Sequence, residues 1–93
     1  MITGYLASSK AGHDKGKIFI ITEEENEYVW LADGKTKTQS HPKKKKKKHI
    51  QIIKVYQDEE IRKRLLQKET IKDEEIRKVI KTYKKESRIQ EEY

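Results

Sequence analysis

"KIFIITEEENEYVWLAD", residues 17–33, decides the fold class of this 93-residue chain. Two runs rich in β-branched and aromatic residues flank the polar EEN, and Asp33-Gly34 closes the second run. Runs of this kind read as strands, and the polar break between them as a hairpin turn. Strand side chains alternate, so Val29 and Leu31 point one way and Tyr28, Trp30 and Ala32 the other. Ile18 and Ile20 oppose Phe19 and Ile21 in the same manner. Both faces are apolar, as expected for strands of a small curled barrel covered in part by another element. Tyr28 and Trp30 are expected to pack as core rather than to stack on bases.

Working outward, GYLASS (residues 4–9) reads as a short strand, and KAGHDKGK (residues 10–17) as a tight loop bracketed by Gly12 and Gly16. After Gly34 the chain turns polar and basic through His41-Pro42 and reaches six consecutive lysines, Lys43 to Lys48. HIQIIKV then restores β-branched character. A lysine run held between two strands is expected to be a loop or edge strand of the same sheet. That placement favours a binding surface over a solvated tail.

From residue 58 the periodicity changes. DEEIRKRLLQ (58–67) and DEEIRKVIKT (73–82) begin with the same six residues. Each is expected to open a helix, with an aspartate as cap and glutamates in the first turn. Ile76, Val79, Ile80 and Tyr83 fall at i, i+3, i+4 and i+7 and make one apolar stripe; Ile61 and Leu65, flanked by Leu66, make a shorter one. Docking of these stripes is expected, because helices this short fray in isolation and a barrel of this size has little core of its own. The reading is therefore a mainly β domain over residues 1–55 and a helical extension of two short helices over 56–93, docked on the barrel or partly flexible.

Charge is unevenly placed. Residues 1–55 hold 12 lysines, no arginine and 6 acids, whereas residues 56–93 hold 11 basic and 10 acidic residues. The total of +7 will draw the protein to a polyanion. With 42% charged and 32% hydrophobic residues, a large buried catalytic cleft is not expected. No cysteine is present, so disulfides and thiolate metal sites are excluded, and a cytoplasmic setting is compatible. The N-terminal residues do not read as a signal peptide, nor any stretch as a membrane span. His13, His41 and His49 lack metal-ligand spacing, and Ser8, Ser9 and Ser40 lie in no triad or nucleophile-elbow pattern. No enzyme activity, metal or cofactor is expected.

The ordered pieces Gly4, KAGHDKGK with Gly16, the apolar strand after it, the Asp33-Gly34 turn and the basic run ending in His49-Ile50 resemble a KOW domain. The likeness covers residues 4 to about 54 and is nearest to short bacterial KOW proteins and to large-subunit ribosomal proteins of archaea and eukaryotes. It implies an SH3-like barrel of five strands whose first loop and basic loops contact structured RNA, rRNA above all. The residues it points to are Lys10, Gly12, His13, Lys15, Gly16 and Lys17 in the loop, then Lys35 and Lys37, and Lys43, Lys44, Lys45, Lys46, Lys47, Lys48 and His49. His13 departs from the family pattern, standing where Arg or Lys is common, and a histidine of ordinary pKa is mostly uncharged at neutral pH. A run of lysine alone favours phosphate attraction over base reading, since lysine lacks the planar fork of arginine.

If about 5 to 8 phosphates are engaged, log affinity should fall against log salt with a slope of about −4 to −7. The loop is also expected to offer backbone amides to a phosphate. The expected partners are thus RNA and the ribosome, with a role for the helices toward a protein partner held as the alternative. A membrane is not expected, because the lysine run has no apolar or lipid anchor beside it.

Overall fold

A computed structural model describes residues 1–91, without the side chains of 88–91. Five strands precede two helices: β1 (Leu6–Ser9), β2 (Ile18–Glu25), β3 (Tyr28–Ala32), β4 (Lys43–Lys46), β5 (Ile50–Ile53), α1 (Glu59–Leu66) and α2 (Asp73–Glu91). The strands form one antiparallel sheet in the order β4-β3-β2-β1-β5. β4 and β5 are its two edges and do not pair with each other, so the sheet is open. They are nevertheless joined by a single 3-10 turn, Lys47–His49, which ties opposite edges together and forces the sheet to curl.

The alternation expected from the hairpin holds, and each face feeds its own core. Ala7, Phe19, Ile21, Val29, Leu31 and Ile50 are buried together on one face. On the other, Leu6, Ile20 and Ala32 meet Ile61, Leu65, Ile71, Ile76, Val79 and Ile80 from the helical segment. Both apolar stripes are therefore docked. Fully burying one such side chain contributes about 1.5–3 kcal/mol, enough to hold two amphipathic helices that would fray alone.

Three local expectations need correction. Asp58 caps α1 as expected, its Oδ1 accepting from the Ile61 amide at 3.0 Å. The matching Asp73 does not cap α2: it lies inside the helix and accepts from the Gln39 amide at 2.8 Å, while Glu75 reaches back to the Lys72 amide at 2.9 Å. Second, α2 runs 19 residues and is not short. Third, Tyr28 and Trp30 are only half-buried and belong to neither core, because the helices cover the sheet face beside Ala32 and stop short of them.

α2 meets the sheet at the Asp33-Gly34 turn. Gly34 has φ +78°, and a Cβ there would collide with the Asp73 carbonyl oxygen and press on Arg77 Cγ. Arg77 Nη1 donates to the Gly34 carbonyl at 2.5 Å.

Candidate nucleic-acid interface

The lysine run is divided by strand register. Lys43 and Lys45 stand opposite Leu31 and Val29, on the buried face, whereas Lys44 and Lys46 stand opposite Trp30 and Tyr28, on the outer face. Residues directly opposite in a ladder share a face, so every second lysine is sent inward. Their stems cover apolar surface and their ammonium groups find polar partners, as amphipathic side chains do. Lys43 pairs with Asp14. Lys45 donates to Ser9 Oγ and, at 2.9 Å, to the Ala11 carbonyl. Lys47, in the 3-10 turn, pairs with Glu24 at 3.0 Å.

These inward contacts fasten β4 to the loop of residues 10–17 and to β2. The carboxylates they meet are well shielded, with 11% and 14% of the Asp14 and Glu24 side chains exposed. Hydrogen bonding to Lys43 holds Asp14 below its usual range against the opposing effect of burial, and the charges of Lys43, Lys45 and Lys17 add to this. For Glu24 burial acts upward, but the bonds from Lys47 and from the Ile2 amide outweigh it and the group also titrates low. Both are anions at neutral pH, and each cancels one lysine.

The outward trio is different. Lys44, Lys46 and Lys48 are exposed and form no ion pair among the described residues. Lys44 lies over the rings of Tyr28 and Trp30, with its Nζ 4.4 and 5.5 Å from their centroids. A cation over an exposed ring gains about 0.5–1 kcal/mol, so Lys44 is held in place and the rings are capped by it. Glu23 and Glu25 pair with Trp30 and Tyr28 on the same face and bound the positive area on the β2 side. Lysines on an exposed edge also discourage pairing with other sheets.

The loop is a fixed scaffold. The amides of Lys15, Gly16 and Lys17 donate to the carbonyls of Gly12, Ser9 and Asp14, and the Lys10 amide donates to His49 at 2.8 Å. Gly16 has φ +86° with open space where a Cβ would stand. The expected offer of backbone amides to a phosphate thus fails for these four groups, which are already bonded. What the loop presents is the exposed side chains of Lys10, Lys15 and Lys17, with exposed His13.

Of the residues expected to contact RNA, Lys10, His13, Lys15, Lys17, Lys44, Lys46 and Lys48 are exposed on loop and edge, while Lys43, Lys45 and Lys47 hold the scaffold. His49 is half-buried and gives its carbonyl to Lys10. Lys35 and Lys37 belong elsewhere, to a turn organised by Asp33, whose Oδ1 accepts from both their amides at 2.9 Å. Asp14, which locks the loop to β4, was missed by sequence reasoning, and so was the α2 face beside Lys35. The one signal available for the latter was the i, i+4, i+7 spacing of Arg77, Lys81 and Lys84.

Among the described residues no group of three or more His, Asp or Glu is placed to hold a metal, and no helix is long and apolar enough to cross a membrane. Neither a family model nor a curated protein matches the chain.

Proposed function

We propose that the chain is a KOW-type RNA-binding protein that docks on structured RNA, rRNA above all, as a ribosomal or ribosome-associated cytoplasmic component. It carries out no reaction; binding is electrostatic. The observation that carries this reading is the division of the lysine run. Lys43 and Lys45 fix an edge strand against the loop of residues 10–17 and Lys47 ties its end to β2, while Lys44, Lys46 and Lys48, with Lys10, Lys15 and Lys17, are left exposed and form no ion pair among the described residues. Stability alone does not ask for such a display of like charge, whereas a phosphate backbone neutralises it and releases counterions. Lysine ammonium groups position the backbone and carry little base preference.

An SH3-like barrel is the finer form of the fold we propose. Its support is the strand order together with the 3-10 turn that joins the two edges, and the enclosure of Phe19, Ile21, Val29 and Leu31 within the curl. The competing role, a protein-interaction module using the helices, is less well supported because the apolar stripe of α2 is already spent on the sheet. Ribosome co-sedimentation tests the reading: association that survives moderate salt and is abolished by RNase supports it. Association with a protein that persists after RNase treatment contradicts it.

A further inference from the structure

A second group of cations lies where α2 crosses the sheet. Lys17 from the loop, Lys35 from the Asp33 turn, and Arg77, Lys81 and Lys84 from α2 line one open groove, with Ile18 and Ile80 as its apolar lining. Among the described residues Asp33 is the one carboxylate on it, and both of its oxygens are committed: Oδ1 to the amides of Lys35 and Lys37, Oδ2 to Thr36 Oγ1 at 3.0 Å. None of the five cations forms an ion pair among the described residues. Arg77, Lys81 and Lys84 recur at i, i+4 and i+7, a spacing at which like charges destabilise a helix. An anion spanning them would relieve the repulsion. Lys17 also acts on Asp14, beside Lys43, and so belongs to the loop surface as well as to this groove.

We propose that this groove is a second contact for the sugar-phosphate backbone of the bound RNA, so that the nucleic acid runs from the loop, by way of Lys17, onto α2. The inference rests on the RNA-binding reading above and extends it to the helical half. Charge complementarity selects the occupant: five cations lining one open groove fit the phosphates of a backbone, and the lack of an aromatic ring in its lining among the described residues argues for backbone contact rather than base stacking.

The test is an anisotropy titration of a labelled RNA hairpin with the full chain over a salt series. Lys81→Gln/Lys84→Gln leaves the Arg77–Gly34 contact intact, and a thermal melt confirms its fold. The double variant is expected to bind about ten- to a hundredfold more weakly at 0.1 M salt, with a slope of log affinity against log salt shallower by about 2. Adding Arg77→Gln should deepen both effects. Wild-type affinity and slope in the double and triple variants, with weakened binding by Lys44→Gln/Lys46→Gln/Lys48→Gln, would overturn the groove and leave the edge-strand interface standing. Failure of the wild type to bind the hairpin would overturn both. Loss of binding to vesicles of acidic phospholipid with RNA binding unchanged would also overturn the proposal, in favour of a membrane surface.

Discussion

Replacing Lys43 by glutamine removes the cation from Asp14, a carboxylate with 11% of its side chain exposed. The cost is worked from that shielding. A hydrogen bond to a charged group contributes about 1.5–3 kcal/mol when buried, and exposed ion pairs contribute about 0–1 kcal/mol. Because the Lys43 side chain is itself 34% exposed, solvent screens the pair and the expected loss is about 1–2 kcal/mol. For a domain of this size that lowers Tm by roughly 5–15 °C.

The loss should depend on pH with a definite sign. Lys43 depresses the carboxyl of Asp14 in the folded state below its ordinary value of 3.8. The pair's stabilisation is therefore fully present above that value and disappears as pH falls through the folded-state titration. Thermal melts of wild type and Lys43→Gln should differ at pH 7, and the gap should close as pH falls below 3.8 through the titration of folded Asp14. Lys44→Gln, one position away on the exposed face, should lose no more than about 0.5–1 kcal/mol, the worth of its ring contacts, and the same amount at either pH. Equal melting of Lys43→Gln and Lys44→Gln at pH 7, or a gap that persists in acid, would refute the division of the run into inward and outward lysines.

Gly34→Ala should destabilise by about 2–4 kcal/mol, combining a left-handed backbone with a collision against α2, whereas Gly16→Ala should cost only about 1–2 kcal/mol because its Cβ meets open space. Chemical denaturation of the two variants gives the comparison, and similar losses would mean that α2 is not seated on the Asp33-Gly34 turn. Amide exchange should be slow for the core of α2 around Ile76 to Ile80, and fast exchange throughout the helix would contradict docking. Ile76→Ala, at a fully buried position, should cost about 2–5 kcal/mol by denaturation; a loss below about 0.5 kcal/mol would place the residue outside the core.

Periodic features were legible in the sequence. The two strands around EEN, the opposite faces of Val29 and Tyr28, and the stripe Ile76-Val79-Ile80-Tyr83 each follow from side-chain period alone. The parity of the lysine run could not be read that way, because six identical residues carry no period. It is set by pairing with β3, where the apolar Leu31 and Val29 draw their opposite lysines inward. The expected core role of Trp30 failed for a related reason: the helices cover Ala32 on that face and leave Trp30 at their margin. The two DEEIRK segments differ for a tertiary reason, since the Gln39 amide claims Asp73. The α2 groove needs Lys17 and Lys35 from distant positions and is complete only once the helix is docked.

Whether the outward lysines of β4 and the turn after it hold structured RNA is decided by titrating a labelled RNA hairpin across salt with wild type and Lys44→Gln/Lys46→Gln/Lys48→Gln. A wild-type slope of about −4 to −7 is expected, shallower by about 2–3 in the variant, with stability lowered by no more than about 1 kcal/mol. A wild-type slope near zero, or a variant indistinguishable from wild type, contradicts that role.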